Sequence, residues 1–193
     1  MNAHWQITLT HCLAVAWQTL GQHERALAVW DRLIADHGHT MTWTRSRAHL
    51  RAQQGRVAEA LKDYQWLCAQ STASAGDWFN QGFLHDQLKA HRQAVEAFEQ
   101  ALARDPQLDR AWYGMGVCLL QLGQLEQAQQ ALQRNTELQP MSPHGWVQLA
   151  RLHGQRQEPE KVRHIIAHLR GFEPKVAAQL MREHGLTPDA GRA

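Results

Sequence analysis

The sequence predicts an all-α fold, a right-handed solenoid of five helix-turn-helix repeats closed by a C-terminal capping helix. Three observations carry that prediction. Trp78, Trp112 and Trp146 stand 34 residues apart; the same step links Gly82 to Gly116 and Ala94 to Ala128; and it links Pro106 to Pro140 to Pro174. Several residue types holding one register over that length mark a repeat. A period in the thirties is that of stacked helical hairpins, each covering its apolar face with the next.

Extending the register places the repeats at 7–40, 41–74, 75–108, 109–142 and 143–176. The first helix of each carries a small residue, namely Ala14, Ala48, Gly82, Gly116 and Ala150. The second carries Ala26, Ala60, Ala94 and Ala128, with Val162 as a departure, and one turn later a bulky residue: Trp30, Tyr64, Phe98, Leu132 and Ile166. Close helix packing needs this pairing of large with small. Gly21, Gly55 and Gly123 mark hairpin turns, Asp77 and Asp109 stand where an N-cap is wanted, and Ser142-Pro143 reads as a cap followed by a first-turn proline.

Repeat two is irregular, because Thr44, Arg47 and Arg51 take slots that call for apolar residues; its first helix is expected to rotate or to pack loosely, with Trp43 and Leu50 carrying the burial. In repeat three the irregular residues are Gln81 and His85. Trp112 is expected to face the inter-helix core, where truncation costs about 3–5 kcal/mol. Beyond repeat five, Pro174 to His184 reads as an amphipathic helix with Val176, Leu180 and Met181 inward and Gly185 at its end. Residues 177–186 thus finish a cap over the last apolar face. The tail, 187–193, is expected to be mobile.

The slots resemble the tetratricopeptide repeat, with Trp, Leu-Gly and Tyr on one helix and Ala, Phe and Pro on the next. Repeat four is nearest, with Trp112, Met115, Gly116, Leu119, Gly123, Ala128, Leu132 and Pro140 in place. The resemblance implies a groove lined by the first helices that holds a protein segment, and hence an adaptor or assembly co-chaperone. Its fifth positions are His11, Arg45, Phe79, Tyr113 and Val147; its ninth are Val15, His49, Phe83, Val117 and Arg151. Phe79, Phe83, Tyr113 and Val117 read as an apolar centre, with Arg45 and His49 to one side and Arg151 to the other.

That grading suggests a ligand with an apolar anchor and flanking or terminal carboxylates. Arg45, Asn80 and Arg110 also occupy slots of the family's carboxylate clamp, although His49 and Gly114 depart from it. The competing reading is that Phe79 and Phe83 only patch the packing of their own helix. Gln53, Gln87, Gln121 and Gln155 recur at the same step, either contacting a peptide backbone or sitting solvated at helix ends.

Other classes find less support. A net charge of +2 is too small to argue for nucleic acid. No cofactor or metal is implied: His164 and His168 are spaced i, i+4 but lack further ligands, as does His37-Gly38-His39. His85 and His153 share a repeat slot and are expected to pack with one ring nitrogen bonded. Gly-rich phosphate loops, GxSxG and HExxH are missing, so no catalysis is expected; Asp86 with His49 or His85 reads as ordinary groove polarity.

Cys12, Cys68 and Cys118 show no metal spacing and are expected to be buried reduced thiols of a cytoplasmic protein. The register accounts for Leu13, Ala14 and Trp17, which argues against a signal peptide, and no apolar run is long enough to span a membrane. The alternative function is a scaffold acting by self-association or its convex face, which exposure of Trp5 or Trp66 would favour. A type III secretion chaperone fits less well, since those resemble shorter arrays.

Overall fold

In the computed structural model, residues 3–186 are described; the tail expectation for 187–193 lies outside them. Eleven α-helices and no strand occur among the described residues: α1 (Ala3–Thr19), α2 (His23–His37), α3 (Met41–Gln53), α4 (Val57–Cys68), α5 (Ala75–Gln87), α6 (His91–Arg104), α7 (Asp109–Gln121), α8 (Leu125–Leu138), α9 (Pro143–Gln155), α10 (Pro159–Arg170) and α11 (Pro174–Glu183). The chain is an all-α helical repeat, as its periodicity predicts. Two compact units divide it, one ending at Arg104 and holding α1–α6, the other beginning at Asp105 and holding α7–α11.

The hairpin turns share one backbone device. Gly21, Gly55 and Gly123 adopt φ of 70°, 73° and 72°, and Lys89 and Gln157 adopt 60° and 57° in the matching slots. A left-handed residue ends each first helix and aims the chain into the second. Glycine does this freely; lysine and glutamine do so against a steric cost.

In the first unit the large and small residues pair as expected. Ala26, Ala60 and Ala94 are fully buried, as are Trp30, Tyr64 and Phe98. A Cβ placed on Gly82 would stand 2.8 Å from the Phe98 ring, so this glycine is what lets α5 and α6 close. Residues 74–77 correct the cap assignment. Ser74 is the N-cap of α5, and Asp77 is its reciprocal partner in a capping box, receiving the Ser74 N–H at 2.9 Å while Ser74 Oγ accepts from the Asp77 N–H. At α7, Asp109 is the first helical residue and Leu108 the cap.

Helix α3 is not rotated. Thr44, Arg47 and Leu50 are buried in the slots that the register assigns, and Trp43 is only half-buried. The arginines are accommodated by a charge network instead of by turning away. Arg47 holds Asp63 of α4 through Nε at 3.0 Å and Nη2 at 2.6 Å, and Asp31 of α2 through Nη1 at 2.9 Å. Arg51 reaches the same two carboxylates at 2.9 Å each. Two guanidinium groups thus tie α2 to α4 across α3 through carboxylates that apolar neighbours could not supply.

The second unit has a continuous apolar interior. Leu132, Leu149, Ala150, Val162, Ile166 and Leu169 pack together with Ala177 and Leu180 of α11. A Cβ on Gly116 would lie 2.7 Å from Leu132, repeating the Gly82 arrangement. Val176 and Met181, expected inward, are half-buried, while Ala177 joins Leu180 in the interior. Gly185 follows the helix end with φ of 61°.

Trp112 does not sit in the inter-helix core. It is half-buried, and its Nε1 donates to the Pro106 carbonyl at 2.9 Å; Trp146 does the same to Pro140 at 2.9 Å. The spaced Trp and Pro therefore form clamps that fasten the loops before α7 and α9 to those helices. At Trp78 of repeat three the partner proline is missing, Thr72 replacing it at the end of repeat two, and the Arg104 guanidinium lies over the Trp78 ring at 5.1 Å.

Candidate functional site

Five of the expected groove residues belong to the first unit. Phe83 on α5 leaves 47% of its surface open and borders a cavity of about 220 Å³ lined by His49, Ala52, Gln53, Tyr64, Asn80 and Leu84. Phe79, one turn earlier, stacks on Phe83 with ring centres 6.4 Å apart and meets the buried Phe98 at 5.9 Å with the rings tilted. The two rings therefore differ in role. Phe79 leans on the interior, whereas Phe83 presents an aromatic face above a pocket.

The polar members of this unit are already engaged. Arg45 donates from Nε to Asp77 Oδ1 and from Nη2 to Asp77 Oδ2, both at 2.7 Å, leaving Nη1 outside the pair. Burial pushes the Asp77 carboxyl up, but the bonds from Arg45 and Ser74 outweigh it and hold the group below the usual carboxylate range. Asn80 donates to the Tyr64 hydroxyl at 3.0 Å. Burial, and secondly the Asp77 charge, push Tyr64 up to about 12, so the hydroxyl keeps its proton at neutral pH. His49 is exposed at the cavity edge.

The other four lie in the second unit. Tyr113 and Arg151 line a cavity of about 280 Å³ with His144, Val147, Val176 and Gln179. Arg151 donates to both Glu183 carboxylate oxygens at 3.2 Å, and those bonds, with one from Gln179, lower the Glu183 pKa. Val117 is half-buried, and Arg110 is exposed with an interaction of its own. Arginine at a groove slot was legible in sequence, but its intramolecular carboxylate, 32 residues on in both cases, was not.

The repeated glutamines Gln53, Gln87, Gln121 and Gln155 are each the last residue of a first helix and exposed. A histidine of each candidate pair lies against aromatic rings. His168 lies against Trp146 at 4.5 Å and Phe172 at 5.3 Å, and His39 stacks on Trp66 at 4.7 Å. His153 is buried and bonds Glu158, as expected, but burial only lowers the pKa of half-buried His85, and it is His91 that meets Asp86, at 3.1 Å. Cys68 and Cys118 are buried, whereas Cys12 is exposed, contrary to expectation. Burial, then the Asp77 charge, push the Cys68 thiol to about 12.

The pairing of helices and the loops fastened to them define a helical-repeat protein. Two tetratricopeptide repeat family profiles match, at residues 14–77 and 87–146, together well over half of the chain. The chain is a tetratricopeptide repeat protein. Among solved structures it is similar to YrrB, described as a tetratricopeptide repeat protein with an unusual peptide-binding site, at 16% identity and a TM-score of 0.78 over 88% of each chain. A tetratricopeptide repeat protein from Parabacteroides merdae ATCC 43184 matches at 18% identity and a TM-score of 0.80, over 93% of this chain and 73% of that one. MamA from Desulfovibrio magneticus RS-1, beginning at its residue 41, matches at 18% and 0.76, over 92% and 96%. At these identities the likeness shows the fold. A search of curated proteins finds no match.

Proposed function

We propose that this protein is a non-catalytic adaptor or assembly co-chaperone that holds a segment of another protein along its first helices. The family fold is that of a protein–protein interaction module, and no described helix is long and apolar enough to cross a membrane. The observation that carries the finer reading is Phe83, an aromatic ring left half open over a pocket whose rim is polar. The open ring and the cavity beside it give an apolar side chain of a partner a place to seat.

The anchor of the ligand is an apolar side chain seated against Phe83, with His49, Gln53 and Asn80 reading its backbone. Arg45 Nη1 offers one further bond to a carbonyl or carboxylate, so acidic or C-terminal segments suit this end. In the second unit Tyr113, Val147 and Arg151 form a comparable set. Peptide binding in YrrB makes the same use of the fold a reasonable extension. The free cysteines suit a reducing compartment such as the cytoplasm.

Phe83→Ala tests the reading, because Phe83 is open and its loss leaves the Phe79–Phe98 contact in place. Capture from native lysate, read by mass spectrometry, is expected to lose specific proteins with this variant while helicity and the thermal midpoint hold. Binding of a peptide from the captured segment should weaken about tenfold with Phe83→Ala, as loss of one buried aromatic contact implies. Capture unchanged from wild type would exclude the Phe83 face.

A further inference from the structure

Helix α1 packs on α2 through Ile7, Ala14 and Trp17, and its opposite side is apolar and open. Trp5, Leu9 and Leu20 each leave more than half of their surface uncovered, Leu13 leaves 45%, and Cys12 and Ala16 are also exposed. Leu20 continues the helical path, since its N–H bonds the Ala16 carbonyl at 3.0 Å. At about 100° per residue these six positions fall within one stripe about 100° wide. Exposed Gln6 borders it on one side, Thr8 and Thr19 on the other.

We propose that this stripe is the contact of a two-fold symmetric dimer, in which α1 packs antiparallel against α1 of a second copy. The argument for that occupant is the spacing of the stripe, which is its own mirror about the point between Cys12 and Leu13. An antiparallel partner centred there sets Trp5 against Leu20, Leu9 against Ala16, and Cys12 against Leu13 of the other copy. Every apolar residue of the patch thus meets another, as an isologous interface requires, and the small Ala16 receives the larger Leu9.

Charge agrees. Ala3–Thr19 contains no Asp, Glu, Lys or Arg, so two copies meet without like-charge repulsion, and antiparallel helices set their dipoles in opposition. The lack of basic residues also makes α1 a poor ligand for anionic lipid. The open side chains amount to roughly 500 Å² per copy, so a pair covers on the order of 1,000 Å², the lower bound for a specific interface.

The full chain under reducing conditions is expected to show, by sedimentation equilibrium, a concentration-dependent mass twice that of the monomer. Leu9→Glu should give a monomer with unchanged circular dichroism and a thermal midpoint that no longer rises with protein concentration, and Leu13→Glu should repeat the result. Diamide, which accepts the two hydrogens lost when two thiols join, should trap the dimer through Cys12 beside the two-fold axis, and Cys12→Ser should abolish trapping. A wild type that stays monomeric up to about 100 μM, or a dimer that survives Leu9→Glu or gives no Cys12 cross-link, overturns the proposal. A monomer that binds neutral lipid vesicles through Leu9 and Leu13 does so in favour of a membrane.

Discussion

Asp77 shows how much one side chain can do in a repeat. It completes the capping box of α5, accepts both bonds of the Arg45 fork, and raises Tyr64 and Cys68 through its charge. Because its folded pKa lies below the ordinary value, its contribution to stability is complete above the usual carboxylate range and is lost as pH falls through the folded value. Asp77→Ala is expected to cost about 2 kcal/mol in chemical denaturation at neutral pH, a lost cap plus an Arg45 that water can still reach. Asp77→Asn should also flatten the acid limb of stability against pH; an unaltered limb would assign the acid sensitivity elsewhere. Sequence placed Asp77 near a helix start but took it for the cap, since Ser74 and Asp77 are both capping types and only geometry separates their roles. The same limit hid the partner of Arg45, because residues 32 positions apart meet only once two helices are stacked.

At the level of the helix, α3 carries the largest departure from expectation. A slot count reads Thr44, Arg47 and Arg51 as faults, yet the helix keeps its register because Asp31 and Asp63 lie on the two helices that flank it. Complementary charges on separate elements have no periodic signature, whereas the Ala and aromatic slots do, which is why the hairpins were legible and this network was not. Asp63→Ala is expected to destabilise by about 3–5 kcal/mol, since it leaves Arg47 with Asp31 alone and Arg51 with Asp31 and a Glu59 carboxylate 3.5 Å away. Replacing Arg47, Arg51 and Asp63 together by Leu, Met and Leu should cost far less or nothing, as removal of a whole buried charge cluster often does. Guanidinium titrations of the single and triple variants give the comparison, and equal losses would mean that the cluster contributes as a unit beyond its desolvation.

Over the whole molecule the repeat design limits how far damage spreads, because each hairpin draws its stability from its neighbours. Hydrogen exchange of Asp63→Ala should show amides of α2–α5 losing protection while those of α9 and α10 keep theirs; uniform loss would mean a single cooperative unit. The repeat count and the pairing of helices could be read from 34-residue spacing alone. The open face of α1 could not, since its register slots were apolar as required and spacing does not say on which side a first helix lacks a neighbour. The turn slots at 21, 55, 89, 123 and 157 carry a different consequence. They share a left-handed backbone whether filled by glycine, lysine or glutamine, so the chain leaves each turn in the same direction. A block excised between two such slots and rejoined elsewhere arrives in register, as would a second copy of residues 55–88 inserted after residue 88. Lengthening by unequal recombination is therefore tolerated at these points, and the unit of growth is the interval between turns.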